Sequence, residues 1–245
     1  MAQDFRNNLQ RNVGTSPVTL ITAGDFDAVA TRLLFRRAGH LHNPRISMLE
    51  SISKDRVVSF DDERIIAVEA DDRIVGYPKK LEAHLGDGTL HRAFSILLFN
   101  DSGQVLLQKR SQTKLLWPGF WSNTCCSHPR KGESLEQATH RRIEEEMGCE
   151  ADLYFIYRFT YRAKYLDVGT EHEICSVYVG RPQSSISPNR EEIDAHQWIN
   201  FEDLDEWVDS SPEVFTPWFK LEWKKLRGTS ISTELSVLGR ASPAN

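Results

Sequence analysis

Apolar positions fall into short runs separated by turn residues through the first half of the chain, then into one long alternating run followed by amphipathic segments. The runs IIAVEA and RIVGY, around Asp71 and Asp72, predict a hairpin, and AFSILLF and QVLLQKR, flanking Asn100 to Gly103, predict a second. The next stretch, LLWPGFWSNTCCSHPRKG, contains Pro118, Gly119, Pro129 and Gly132, which discourage regular structure and predict a long loop. Long loops inside compact domains are often functional. It leads into SLEQATHRRIEEEM, where Ser134 and Gln137 form a capping-box pattern and Gly148 stands where a helix would stop. In LYFIYRFTYRAKY, Tyr157, Phe159 and Tyr161 alternate with Arg158, Thr160 and Arg162, the period of a strand. EHEICSVYV predicts another strand and HQWI a last one. Short helices are expected at FEDLDEWV and PWFKLEWKKL, the latter with Thr216 as cap and Pro217 in its first turn. Near the N-terminus, Asp25 as N-cap, Val29, Leu33, Leu34 and a stop at Gly39 predict one amphipathic helix.

This order of antiparallel strands with a few helices favours an α/β sandwich with mixed, largely antiparallel sheets over a doubly wound parallel sheet. With 245 residues, 40% of them hydrophobic, the chain suits one large catalytic domain with extensions. We expect that domain over residues 61–228, an N-terminal extension over 1–60 and a Ser- and Thr-rich tail over 229–245. A net charge of −5 implies no general attraction to nucleic acid or anionic membrane, so any polyanion site must be local. No apolar run reaches the roughly 20 residues of a membrane span, and the N-terminus lacks the apolar core of a secretory signal. Four cysteines, with Cys125 and Cys126 adjacent, suit a reduced compartment better than a disulfide framework. The cytoplasm is the expected location.

Candidate chemistry clusters in a few places. Arg142 and Glu146 lie four residues apart on one helix face, and Glu144, Glu145 and Glu146 crowd the last turn, where carboxylates oppose the helix dipole. Holding a hard cation through oxygen ligands would explain that placement, and a solvated acidic face is the plain alternative. Cys126 and His128 stand two apart in the expected loop; His84 and His91 flank a Gly-containing turn; Glu171 and Glu173 point to one face of a strand. Three histidines and two carboxylates would suit a divalent metal with mixed nitrogen and oxygen ligands if the fold brought them together.

The helix segment resembles the Nudix box, with Glu133, Arg141, Ile143, Glu145, Glu146 and Gly148 in register. Two positions depart from it: Ser127 stands for the leading glycine, and Arg142 replaces the glutamate after the arginine. The loss of a metal-binding carboxylate argues against a Nudix diphosphate hydrolase. Together with LHRAFS, WPGFWSNTCCSHP, Glu171-His172-Glu173 and TPWF, in that order from near Ile65 to near Leu226, the pattern is similar to the type I isopentenyl-diphosphate isomerases. The first 60 residues or so have no counterpart in that family's catalytic core.

The resemblance implies a Nudix-like α/β/α fold and interconversion of isopentenyl and dimethylallyl diphosphate in isoprenoid biosynthesis. It implies Cys126 as catalytic thiol, with Glu173 and Tyr161 handling the other proton. His84, His91, His128, Glu171 and Glu173 would bind a first divalent metal (magnesium, manganese or zinc), and Glu146 a magnesium ion carried with the diphosphate. Lys80, Arg110, Lys114 and Arg142 would contact the diphosphate, and Trp218 would face the hydrocarbon. The expected partner is a small prenyl diphosphate, bound by a monomer or small homo-oligomer. The chemistry makes sense of these residue types: an isolated alkene needs a positioned acid, the resulting tertiary cation needs an aromatic face, and a thiolate favoured by nearby cations suits the second proton transfer. A diphosphate hydrolase and a non-catalytic prenyl-diphosphate binder remain the alternatives. Binding alone requires no acid and base pair.

Overall fold

The structure, a computed structural model, describes residues 55–227 and Thr229; the helix expected between Asp25 and Gly39 and nearly all of the tail lie outside them. Strands β1 (Ala67–Val68) and β2 (Ile74–Gly76) form the first expected hairpin. Helix α1 (Lys80–His84) precedes strands β3 (His91–Leu98) and β4 (Val105–Arg110). The stretch expected to be irregular holds two short strands, β5 (Trp121–Ser122) and β6 (Cys125–Ser127). Then come α2 (Leu135–Met147), β7 (Ala151–Tyr165), β8 (Gly169–Pro182), β9 (Ile193–Ile199), α3 (Phe201–Ser210) and α4 (Pro217–Leu226).

A six-stranded sheet runs β2-β1-β3-β8-β7, with β6 also paired to β3, and a three-stranded sheet runs β5-β4-β9. Only β3 and β8 are parallel neighbours. The fold is thus the expected mixed, largely antiparallel α/β arrangement. Both faces of β3 are covered. Leu97 faces a core shared with Phe219 and Trp223 of α4, while Phe94, Ile96 and Leu98 face one shared with Ala138, Ile143 and Met147 of α2. That double burial explains why AFSILLF reads as an unbroken apolar run.

The second expected hairpin does not form. Chain reversal does occur at Asn100–Gly103, whose turn is tied by Asn100 Oδ1 accepting from the Ser102 and Gln104 N–H groups. Yet β3 and β4 share only the bridge Phe99↔Val105 before joining different sheets. The wedge is Thr124: its Oγ1 accepts from Leu98 N–H at 2.9 Å and donates to Leu106 C=O at 2.6 Å. One side chain satisfies a backbone group on each strand and holds them apart. Helix α2 forms as expected, with Ser134 Oγ capping Gln137 N–H and Gly148 in the left-handed region at φ 61°. A Cβ at Gly148 would lie 2.4 Å from Ser187 O, so glycine is needed there for space as well as for φ. Thr216 occupies the N-cap of α4, but its hydroxyl bonds to Ser122 Oγ instead of capping the helix. Among the described residues no helix is long and apolar enough to cross a membrane.

Candidate active site

His84 at the end of α1, His91 at the start of β3, His128 just past β6, and Glu171 and Glu173 on β8 converge, all five buried, with ligand atoms within 4.8 Å of one another. Topology explains the meeting. His91 sits opposite Glu173 in the β3–β8 register, and β6 lies on the other side of β3, delivering His128. The Nδ1 atoms of His84 and His91 bond to the carbonyls of Lys80 (2.6 Å) and Thr89 (2.7 Å), which assigns them the proton and turns both Nε2 atoms inward. His84 Nε2 lies 2.8 Å from Glu171 Oε2 and His128 Nε2 lies 2.9 Å from Glu173 Oε1. His91 Nε2 is buried without a hydrogen-bond partner.

A buried lone pair facing two carboxylates, among three imidazoles of which two are oriented from behind by carbonyls, fits a divalent cation with mixed nitrogen and oxygen ligands. Electrostatics agree. Burial and the neighbouring His91 and His84 push His128 well below the usual imidazole range, leaving it neutral for ligation. Burial lowers His84 too, but the charge and hydrogen bond of Glu171 outweigh it and raise this imidazole to about 9. A cation entering at pH 7 must therefore displace a proton from His84. His172 bonds to Gly88 C=O and stands apart from the cluster, as expected from its position between the two glutamates.

Beside this cluster opens a cavity of about 620 Å³ lined by Lys80, Arg110, Lys114, Cys126, Arg142, Tyr161, Glu173, Glu192 and Trp218, among others. Every residue expected at the site except Glu146 and His91 lines it. Glu146 lies behind the wall, buried and paired with Arg142. The Tyr161 hydroxyl donates to Glu173 Oε2 at 2.7 Å. Burial alone would raise the Glu173 carboxyl, but adjacent His91 and Tyr161 hold it below the ordinary carboxylate range. Burial and the Glu173 charge push the Tyr161 phenol well above its usual value.

At Cys126 two influences oppose each other. Arg110 Nη1 lies 3.8 Å from its sulfur, yet burial, reinforced by Glu146, Glu173 and Glu222, outweighs that cation and pushes the thiol up to about 12. Arg110 itself is fixed by the carbonyls of Trp117 (3.1 Å) and Leu116 (2.8 Å) and lies 5.3 Å from the Trp218 ring centroid. Trp218 is anchored by Nε1 donating to Asn123 Oδ1 at 3.1 Å and stands edge-on to Trp117, with ring centroids 5.3 Å apart.

Several contributors carry no signal in the sequence pattern. Ser59 bonds to Lys80, and the Val58 carbonyl accepts from Arg142 at 2.9 Å, so residues just before position 61 help build the cavity wall. Asn123 locks the loop to Trp218, and Glu192 pairs with Lys114 and Arg142. Ser59 lies 21 residues from its partner, and the other pairs are separated by 50 to 95 residues.

Comparison with known proteins gives a consistent picture. The family pattern described as NUDIX domain matches residues 89–219. The chain is 44% identical over 163 residues to the isopentenyl-diphosphate Delta-isomerase 1 of Photorhabdus laumondii, covering 66% of this chain and 93% of that protein. It is 43% identical over 158 residues to the isopentenyl-diphosphate Delta-isomerase of Burkholderia multivorans, covering 64% of this chain and 89% of that one. A solved structure from Deinococcus radiodurans superposes with a TM-score of 0.55 at 20% identity, over 66% of this chain and 98% of the other, a likeness of fold.

Proposed function

This chain belongs to the NUDIX domain family and, within it, to the isopentenyl-diphosphate Delta-isomerases, and on that premise we propose how its residues carry the reaction. The reaction interconverts isopentenyl and dimethylallyl diphosphate: a proton adds to the terminal alkene carbon, a tertiary cation forms at the branch carbon, and a proton leaves the carbon between it and the diphosphate-bearing end. The observation that carries the reading is one cavity with basic side chains, an aromatic face and two separate proton-carrying groups, Cys126 and the Tyr161–Glu173 pair.

Lys80, Arg110, Lys114 and Arg142 hold the diphosphate, and Trp218 faces the hydrocarbon. An indole face in a site without water stabilises a cation by about 2 kcal/mol or more. His84, His91, His128, Glu171 and Glu173 would hold a divalent cation, magnesium, manganese or zinc, and Glu146, which is paired with Arg142 behind the cavity wall, would hold a magnesium ion with the diphosphate only once Arg142 has turned to that diphosphate; such ions supply positive charge that fixes and neutralises oxygen anions. Burial favours the protonated thiol of Cys126, and adjacent His91 and Tyr161 favour the ionised form of Glu173. Those charges suit one direction of transfer: the S–H bond of Cys126 breaks as a C–H bond forms at the terminal carbon, and a Glu173 oxygen takes the proton lost from the cation. That leaves a thiolate and a protonated Glu173–Tyr161 pair, the starting state for the opposite transfer, in which Cys126 is the acceptor. The thiolate formed in between gains from Arg110.

Residues 61–228 form the body of the catalytic unit in this reading, which acts as a monomer or small homo-oligomer, with 229–245 and most of 1–60 as appendages and Val58 and Ser59 serving the cavity wall. Incubation with isopentenyl diphosphate and magnesium, followed by separation of the products, tests it. Dimethylallyl diphosphate is expected, and release of phosphate without it would favour hydrolysis.

A further inference from the structure

At the basic end of the cavity stand Lys80, Lys114 and Arg142, and a carboxylate that the reaction does not call for stands among them. Glu192, at the entry to β9, is 3% exposed; one of its oxygens is paired with Lys114 and lies 3.5 Å from Arg142 Nη2. Burial would raise its carboxyl, but Lys114 and Arg142 outweigh burial and favour the charged form. The remaining balance is tight. Arg142 also pairs with Glu146 and with Glu145, so three cations stand with three carboxylates in this corner, and Glu192 is the only one of the three carboxylates paired with Lys114. Lys80 is brought down to about 8 by burial and by Lys114 and Arg142, which shows how closely the positive charges are packed.

The side chain of Glu192 is not what holds its loop. That is done by the backbone: Glu192 N–H donates to Asn189 C=O at 3.1 Å, and Glu192 C=O accepts from Ser111 N–H at 3.0 Å. Asn189 completes the fastening, donating to the Arg56 carbonyl at 2.7 Å and accepting from Arg56 N–H at 3.2 Å. The carboxylate is free to serve the cavity that it lines.

We propose that Glu192 is a built-in counter-anion of the diphosphate pocket, neutralising Lys114 and Arg142 while the pocket is empty and competing with the diphosphate for them when it arrives. The proposal rests on the reading of this cavity as a prenyl-diphosphate site. Its physical basis is that a buried cation stripped of its partner is strongly disfavoured, whereas a cation handed from one anion to another is not. Glu192 thereby stabilises the empty state more than the filled one and weakens affinity, so that substrate and product, which share the same diphosphate, can both leave. It is a positioning residue, acting through Lys114 and Arg142.

The test is calorimetric titration of the full chain with inorganic diphosphate in excess magnesium, parent against Glu192→Gln and Glu192→Asp. Removing the counter-anion destabilises chiefly the empty form, so Glu192→Gln should bind magnesium diphosphate about ten-fold more tightly. Its KM and kcat for isopentenyl diphosphate should fall together as product leaves more slowly, and Glu192→Asp, which keeps the charge, should stay near the parent. Unchanged or weaker binding by Glu192→Gln, or Glu192→Asp behaving like it, would overturn the counter-anion. So would a Glu192→Gln chain that fails to fold with or without magnesium diphosphate, since the carboxylate would then be structural. A parent chain that neither binds magnesium diphosphate nor isomerises the substrate would instead remove the diphosphate-site reading, and this proposal with it.

Discussion

Replacing Thr124 by valine keeps the shape of the side chain and deletes the one hydroxyl that separates β3 from β4. Its Oγ1 satisfies Leu98 N–H and Leu106 C=O, and all three residues are fully buried, so no water can take its place. An unsatisfied buried backbone group costs about 1–3 kcal/mol, so two should cost about 2–6 kcal/mol. For a chain of this size that is a fall in Tm of about 4–24 °C. Thr124→Ser retains both hydrogen bonds and loses one methyl group, about 1 kcal/mol. Urea unfolding checks the difference: the midpoint of Thr124→Val should drop well below that of Thr124→Ser at an unchanged slope. Because Cys126 lies two residues on, a small shift of the loop should also lower turnover, a misplacement of about 1 Å costing up to about 10²-fold. A Thr124→Val chain within about 0.5 kcal/mol of the parent would refute the wedge.

The active-site assignments give further expectations. Cys126→Ala should lower turnover by about 10²–10⁴-fold while magnesium diphosphate binds almost as before; near-normal turnover would remove the thiol from the chemistry. Tyr161→Phe deletes a hydrogen bond to an ionised carboxylate, and kcat should fall about 10- to 100-fold with little change in KM, as steady-state kinetics will show. Because His84 is raised to about 9, it is protonated at pH 7 and must lose that proton to bind a cation. Calorimetry in buffers of different ionisation enthalpy should therefore detect about one proton released per metal ion, with affinity falling as pH drops below that value. Lys80, lowered to about 8, is charged below that pH and neutral above it. Magnesium diphosphate affinity should accordingly weaken as pH rises through about 8, and Lys80→Arg should flatten the profile.

Local rules were sufficient where partners are close in the chain. Helix α2 announces itself through Ser134, Gln137 and Gly148, all within one element, and the outward turn of His172 follows from strand alternation alone. The five-residue metal cluster was legible only as residue types in a family order. Its convergence depends on the parallel β3–β8 pairing and on β6 joining the opposite edge of β3, contacts that no periodicity encodes. The false hairpin has the same origin. An alternating turn signal at Asn100–Gly103 was genuine, but a side chain more than 20 residues away decides which sheet each strand enters. The balance at Cys126 is not legible in the sequence, because adjacent cations can be counted there and burial cannot: loss of water and three buried carboxylates oppose Arg110. Glu192 was invisible for want of any local pattern, being one carboxylate of an acidic pair in a turn.

The central claim is that this cavity exchanges protons with both ends of an allylic diphosphate. Incubating the chain with isopentenyl diphosphate and magnesium in heavy water, with deuterium NMR of the products, tests it most directly. Dimethylallyl diphosphate carrying deuterium in its methyl group is expected from the parent chain, with no deuterium uptake from Cys126→Ala on the same timescale. Isopentenyl diphosphate recovered without deuterium, or inorganic phosphate released in its place, would contradict the account.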